Sequence, residues 1–422
     1  MEKIERLIGR EILDSRGRPT VWACCTLTGG VQGSASVPSG ASTGAAEALE
    51  LRDGDPGRYC GLGCRKAVGH VDREIATALV GRSFEDQAEL DRTLIALDGE
   101  PSKSRLGANA ILAVSLAFAR ATAQQRGLPL YRHFADLVGR SPARLPRPTV
   151  NLYSGGKHAG GQVSIQDVLI VPAAAQTMDE ALATTHAVYQ SAAELVRRKY
   201  AMRPLTADEG GLAPEFPSAQ AMLEDAVEAI QAAGFLPGVE VALAIDAAAS
   251  HFHHDGRYLL DGESLNGPAL IEKLVGWVEQ FPIVSVEDGL DAEDWEHWPR
   301  LYDRLDGRAL VLGDDLLCTN PDRIRMAIEA KAANALLLKV NQIGTLTEAA
   351  EAETLARSAG WMVTISARSG ETEDDWLADL AVGWAGDQIK VGSITQSERL
   401  AKYNRLLAIE HETGLPVVDW PR

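Results

Sequence analysis

Six short apolar runs after residue 240 each reach a charged residue at or near their last position. The charged residues follow one another at intervals of 22 to 41 residues, enough for one strand, one loop and one helix. This alternation predicts βα units and a mostly parallel sheet, whose strands end at a common face. We therefore expect one barrel mouth at which six residues converge: Asp246, Glu287, Asp314, Lys339, Arg368 and Lys390.

The first third of the chain has a different pattern. The run TVWACCTLTGG alternates as a strand does, whereas residues 66–127 carry apolar residues at helical spacing. The stretch SPARLPRPTVN at 141–151 contains three prolines and is typical of a linker. The 422 residues suffice for two domains. We expect an α/β protein with a small α+β domain at 1–140 and a β/α barrel domain at 141–422.

The charge of the chain excludes several classes of partner. Acidic residues outnumber basic residues 59 to 41, the net charge is −18 and the pI is about 5.0. Such a field repels nucleic acid and anionic membranes, so an anionic substrate needs local cations or a metal. The N-terminus lacks the apolar core of a signal peptide, and no apolar run is long enough to span a membrane. We expect a cytoplasmic protein with a small anionic substrate.

Three of the converging residues are carboxylates. Asp246, Glu287 and Asp314 form an all-oxygen ligand set, the kind that suits Mg²⁺ and leaves positions for water and substrate. Helix caps or paired surface acids are the alternative for any one of them. Their place on successive strand ends favours a metal site, because three buried carboxylates without partners would each cost several kcal/mol.

The other three converging residues are cations. Partial burial beside other cations lowers the pKa of a lysine, so Lys339 is a candidate base. Arg368 and Lys390 could bind an anionic substrate, although structural lysines at strand ends are also common. Two earlier stretches, ADEGGLAP and IQDVLIVP, contribute Glu209 and the pair Gln166–Asp167. A carboxylic acid beside another carboxylate has a raised pKa, as a general acid needs, but a solvated turn is the alternative.

Long motifs make the chain resemble the enolase family over almost its full length. They are LDSRGRPTV (13–21), SGASTGAAEALELRD (39–53), GANAILAVSLA, GGKHAGG, DEGGLAP, GDDL, LLLKVNQIGTL (336–346), RSGETEDDWLADLAVG and SERLAKYNRLL. The resemblance implies an enolase-type (β/α)8 barrel with a smaller N-terminal α+β domain. It also implies the Mg²⁺-dependent loss of water from 2-phosphoglycerate to give phosphoenolpyruvate, and a homo-oligomer, as a dimer or a larger ring.

The resemblance also implies a role for each matching residue. Lys339 would remove the C2 proton, Glu209 would protonate the leaving hydroxyl with help from Asp167, and Lys390 would neutralise the enolate. Two Mg²⁺ ions are expected, with Ser42 as a ligand of the second. The implied metal ligands are Asp246, Glu287, Asp314 and Ser42, and the implied substrate contacts are Lys390, Arg368, Ser369, His158, Gln166, Ser39 and Ala367.

Several positions depart from the family pattern. Enolases usually read S-H-R-S-G-E-T where this chain has Ala367 after Ser366, so a histidine against the substrate is replaced by alanine. They usually read Q-E-F where this chain has Gln166, Asp167 and Val168. A misplacement of roughly 1 Å can cost about 10²-fold in rate, so these changes predict an altered pocket.

These residues are compatible with three functions. The leading hypothesis is a diverged enolase that acts on a phosphoglycerate with a different group on its C2 oxygen. Its concrete form is a carboxyphosphonoenolpyruvate synthase of phosphonate antibiotic biosynthesis, in which the extra carboxylate uses the space beside Ala367. The alternatives are an ordinary enolase that tolerates the substitutions and a catalytically silent binding protein with the same fold.

Overall fold

The computed structural model describes residues 2–40, 44 and 46–421. Its N-terminal part begins with a four-stranded sheet in the order β3-β2-β1-β4, in which all paired strands are antiparallel. The alternating residues of the TVWACCTL stretch fall within the second strand, as predicted. The strands are β1 (Glu2–Leu13), β2 (Pro19–Leu27), β3 (Gln32–Ser36) and β4 (Ser83–Phe84).

Helices cover one face of this sheet, and the longest of the N-terminal helices is almost entirely buried. It lies so close to β3 that a Cβ atom at Gly33 would be 2.1 Å from the amide nitrogen of Ala121. Glycine is therefore required at that crossing. The helices are α1 (Arg65–His70), α2 (Ala76–Leu79), α3 (Gln87–Asp98), α4 (Ala108–Gln125) and α5 (Leu130–Leu137), with a π-helical turn at Val71–Ile75 between α1 and α2.

Eight further strands close into a barrel, which bears out the predicted fold class. Seven of them are parallel to one another along the ring, but β6 runs antiparallel to both of its neighbours, β5 and β7. The ring order is β11-β12-β13-β14-β15-β5-β6-β7. The barrel strands are β5 (Arg147–Ser154), β6 (Asp167–Val171), β7 (Ala242–Asp246), β11 (Ile283–Glu287), β12 (Leu310–Gly313), β13 (Ala335–Leu338), β14 (Met362–Ser366) and β15 (Gln388–Gly392). A small antiparallel sheet follows β7 and comprises β8 (His253–His254), β9 (Arg257–Leu260) and β10 (Glu263–Leu265).

Helices surround the barrel, and polar side chains fix where many of them begin. The side chain of Thr177 accepts a hydrogen bond from the first turn of α6, and Ser218, Asn266, Asn320 and Thr345 do the same for later helices. These helices are α6 (Met178–Tyr200), α7 (Ala219–Ala232), α8 (Gly267–Gln280), α9 (Trp298–Leu305), α10 (Pro321–Ala330), α11 (Val340–Ile343), α12 (Leu346–Ser358), α13 (Trp376–Gly383) and α14 (Ser397–Thr413).

Among the described helices, none combines the length and the apolar character that a bilayer crossing requires.

Candidate active site

The strand registers bring the charged residues to one mouth of the barrel. Asp246 and Glu287 are the last residues of β7 and β11 and lie directly opposite each other. Asp167 is the first residue of β6 and lies opposite Asp246, because β6 runs in the reverse direction. Asp314 and Lys339 directly follow β12 and β13. The structure therefore brings together residues from neighbouring strands, as the spacing predicts.

Two lysines lie against the carboxylates of this mouth. The Nζ atom of Lys390 is 2.9 Å from Oδ2 of Asp246 and 2.7 and 2.8 Å from the two oxygens of Glu287. The Nζ atom of Lys339 donates a hydrogen bond to Oδ2 of Asp314. Four of these side chains are buried, and that of Lys339 is 14% exposed. Burial strengthens such charge-assisted hydrogen bonds, because little water competes for them.

The lysine pKa values differ from the sequence-based expectation. Burial is the largest single influence and lowers the pKa of Lys339, but the charges of Asp314 and Glu287 together outweigh it and raise that pKa above its usual value. The carboxylates of Asp246 and Glu287 likewise raise the pKa of Lys390. The expectation of a lowered pKa at Lys339 was wrong for this arrangement, because its nearest charged neighbour is an anion and not a cation.

The oxygen atoms of the mouth fit a divalent cation. Asp288, Asp314 and Asp315 each offer a carboxylate oxygen, and these atoms lie within 4.8 Å of one another. Burial and the charges of Asp246 and Asp314 raise the pKa of Glu287 well above its usual value. A hard cation would relieve this accumulation of negative charge, and oxygen is the donor that Mg²⁺ prefers. These oxygen donors suit the expected metal, but this close group contains only Asp314 of the three predicted ligands, since Asp246 and Glu287 instead contact Lys390.

Sequence reasoning missed Asp288 and Asp315. Both side-chain oxygen atoms of Asp288 accept hydrogen bonds, one from the backbone N–H of Asp314 at 3.0 Å and one from that of Asp315 at 2.8 Å. Asp288 thus fixes the loop that carries Asp314. In the sequence each of them directly follows a predicted metal ligand, as Glu287–Asp288 and Asp314–Asp315. This pairing of acidic residues is the signal that could have indicated them.

A second group of titratable residues lies on the β6 side of the mouth. His158, Asp167 and Glu209 offer ligand atoms within 4.8 Å of one another, and Nδ1 of His158 is 3.3 Å from Oδ2 of Asp167. The hydroxyl of Ser154 donates a hydrogen bond of 2.6 Å to Asp167, and the amide of Asn151 donates one of 3.1 Å to Glu209. The side chains of Asp167 and Glu209 are buried.

The pKa values of this group correct the expectation for Glu209. Burial alone raises the pKa of Glu209, but the charges of His158 and nearby cations bring it below its usual value, so the predicted raised pKa was wrong. Burial does raise the pKa of Asp167. Burial lowers the pKa of His158, yet the adjacent carboxylates outweigh burial and raise that pKa to about 9. His158 therefore holds a proton at neutral pH.

The anion-binding side of the mouth includes residues of the N-terminal part. Arg368 donates hydrogen bonds of 3.0 Å to Glu47 and 2.9 Å to Asn341. Arg16 donates hydrogen bonds of 3.2 Å to the hydroxyls of both Ser369 and Ser39. Sequence reasoning missed Arg16 and Glu47, although both lie within the quoted motifs. Ser42 lies outside the described residues.

A cavity occupies the centre of these groups, and Ala367 lies in its wall beside Arg368. Three predicted site residues, Asp167, Glu287 and Ser39, are buried beside the cavity and are not among the described residues that line it. The predicted residues that line it are His158, Gln166, Glu209, Asp246, Asp314, Lys339, Ala367, Arg368, Ser369 and Lys390.

Two family models match the chain. The model of the enolase C-terminal TIM barrel domain matches residues 142–418, and the model of the enolase N-terminal domain matches residues 4–134. Together they cover both parts of the fold described above. The chain therefore belongs to the enolase family and is an enolase-type carbon–oxygen lyase.

Proposed function

We propose that this protein catalyses the Mg²⁺-dependent elimination of water from 2-phosphoglycerate, or from an analogue with another group on the C2 oxygen, to give an enolpyruvate ester. The observation that carries the proposal is the contact of Lys339 with Asp314 and of Lys390 with Asp246 and Glu287 at one barrel mouth. This arrangement offers a base, a cation for the developing enolate and carboxylates for a metal.

In this proposal the carboxylates of Asp246, Glu287 and Asp314 hold Mg²⁺. Bound Mg²⁺ would neutralise the anions around Lys339 and the negative charge that develops on the substrate carboxylate. Lys339 removes the C2 proton. Lys390 stabilises the enolate, and Arg368 and Ser369 hold the phosphate. A second ion would use Ser42 as a ligand.

The departing hydroxyl needs a proton, and the group on the β6 side supplies it. Glu209 and His158 both line the cavity, and His158 carries a proton at neutral pH. We assign proton delivery to this group, with Glu209 next to the substrate and with Asp167 holding His158 in its protonated form. Gln166 completes the substrate contacts, whereas Ser39, which is buried beside the cavity, accepts a hydrogen bond from Arg16.

The substrate we favour carries a larger substituent than phosphoryl, with carboxyphosphonoenolpyruvate as the product. Ala367 supports this choice, because it lines the cavity next to Arg368 where family members carry a histidine. The product would belong to phosphonate antibiotic biosynthesis. The complete set of lysines and carboxylates favours the second candidate, an ordinary enolase that forms phosphoenolpyruvate.

Steady-state assays of the purified protein with Mg²⁺ test the two candidates. The substrates are 2-phosphoglycerate and its carboxyphosphonyl analogue, and the readout is the absorbance of the enol ester. We expect a higher kcat/KM for the analogue, and we expect Ala367→His to reverse the preference. If the protein converts 2-phosphoglycerate at a rate typical of enolases and does not convert the analogue, it is an ordinary enolase. Turnover of neither substrate would contradict both candidate functions.

A further inference from the structure

A second cavity lies beside the active-site cavity and has a volume of about 510 Å³. Two segments form its walls: the glycine-rich loop at 156–164, and residues 251–259, which lead through β8 into β9. Hydrogen bonds join the first segment to Asp261, two residues beyond the second segment. The hydroxyl of Ser164 accepts one of 2.7 Å from the N–H of Asp261, and the N–H of Ser164 donates one of 3.2 Å to Oδ1 of Asp261. These hydrogen bonds hold the two walls of the cavity at a fixed separation.

His251 lines both cavities and therefore lies between them. Its Nδ1 atom is buried and makes no hydrogen bond within the described part of the chain. A buried polar atom without a partner costs free energy, so such atoms in native proteins call for an explanation. A polar group of a bound ligand that extends from the active site past His251 would satisfy this nitrogen.

The second cavity differs from the active-site cavity in its charge. No described residue that lines it is acidic, although the chain has a net charge of −18. Its wall contains Lys157, His251 and His254. Lys157 is exposed, and none of the ion pairs or side-chain hydrogen bonds of the described residues involves Lys157 or His254. The available donors therefore favour an anion.

The same wall also has an apolar component. The apolar residues Val163, Phe252 and Leu259 line the cavity. Leu259 is 50% exposed. A cavity with an apolar floor and a few convergent polar groups is the usual form of a small-molecule site. The combination suits an organic group that ends in an anion.

We propose that the second cavity binds an anionic extension of the substrate, in addition to the phosphate group held at Arg368. The extension is the carboxylate of the carboxyphosphonyl group, which leaves the phosphorus beside Ala367 and points past His251 towards Lys157 and His254, whose charge attracts it. This inference rests on the proposed function, because it names a substrate larger than 2-phosphoglycerate. It makes Lys157 and His254 specificity-determining residues that act away from the reacting carbon atoms.

Anion binding without Mg²⁺ tests the cavity independently of turnover. The probe is phosphonoformate, and isothermal titration calorimetry gives its Kd for the wild type, for the double variant Lys157→Gln/His254→Gln and for Lys3→Gln. Lys3 is an exposed lysine on β1 and is the matched control for loss of charge. The double variant should bind about tenfold more weakly or worse, as expected for the loss of charge-assisted contacts, and the control should bind as the wild type does. Equal Kd values in all three proteins would overturn the proposal.

Turnover then distinguishes a substrate extension from a separate anion. The ratio of kcat/KM for the carboxyphosphonyl analogue to that for 2-phosphoglycerate should fall about tenfold or more in the double variant. An unchanged ratio with weaker phosphonoformate binding would contradict the substrate-extension proposal and indicate a separate anion site. Weaker phosphonoformate binding in a protein that converts neither substrate would contradict the proposed function while supporting the anion site.

Discussion

Lys339 and Lys390 remain charged because each lies against buried carboxylates. The residue types and their places at strand ends were evident in the sequence. The direction of the pKa shifts was not, because a shift depends on which charge lies nearest, and that is set by neighbouring strands. The same reason explains Glu209, whose pKa falls because His158 and other cations surround it.

At the scale of single residues, Lys339→Met should abolish most of the elimination activity. The substitution removes the proposed base, and general bases contribute about 10² to 10⁴-fold to a rate, so we expect a loss of at least that order. Steady-state assays with 2-phosphoglycerate and with the analogue measure the effect, and Lys3→Met is the control. Activity within a few-fold of the wild type would rule out Lys339 as the base.

His133 in α5 should make the protein less stable in acid. It is buried, neither ring nitrogen has a partner among the described residues, and burial lowers its pKa to about 4. The unfolded chain binds a proton near pH 6.5 that the folded chain does not accept, so stability is lost as the pH falls from 6.5 towards 4. His133→Leu should remove about 3 kcal/mol of this loss. Urea unfolding at pH 7 and pH 4.5 measures the free energy of unfolding of the wild type and of the variant. If this free energy changes equally with pH in both proteins, the prediction is wrong.

At the scale of elements, α3 and α12 are joined by one buried carboxylate. Asp91 on α3 accepts hydrogen bonds of 2.9 Å from the N–H and 2.6 Å from the hydroxyl of Thr347, in the first turn of α12. A helix N-terminus favours such an anion. Burial nevertheless raises the pKa of Asp91 to about 6. This contact connects the N-terminal part with the barrel, and no sequence motif indicated it.

The pKa of Asp91 predicts a pH effect opposite to that of His133. The folded state binds a proton between about pH 4 and pH 6 that the unfolded state has lost, so this stabilisation is lost as the pH rises through that range. Asp91→Asn cannot titrate, and its stability relative to the wild type should improve by about 2–3 kcal/mol between pH 4 and pH 7. Urea unfolding at both pH values measures it, with exposed Glu100→Gln as control. A constant difference between variant and wild type would show that Asp91 does not titrate in this range.

At the scale of the whole molecule, negative charge accumulates where the barrel strands end. Mg²⁺ that binds the folded state alone should stabilise it, by about 2.7 kcal/mol when its concentration is 100 times the Kd. We expect Mg²⁺ to raise the Tm of the wild type and a chelator to reverse the increase. The double variant Asp246→Asn/Asp314→Asn should lose the increase, whereas exposed Glu5→Gln should retain it. Equal Mg²⁺ responses in both variants would exclude a metal site at these carboxylates.

The barrel and the set of charged residues at its mouth could be predicted from the sequence, because strand-ending charges recur at βα spacing. The reversed direction of β6 could not, and it is the reason that Asp167 at the start of this strand reaches the same mouth as Asp246 at the end of β7. The domain limits at residues 140 and 141 and the chemical role of each site residue stay predictions.

The sequence by itself determined the fold class, the family and the identity of the residues that can do chemistry, because periodicity and long motifs are local properties of the chain. Tertiary structure alone decided which lysine lies against which carboxylate, the protonation of His158, and the basic cavity beyond His251. Charges and cavities depend on distances between segments remote along the chain, and strand pairing and packing in the folded barrel fix those distances.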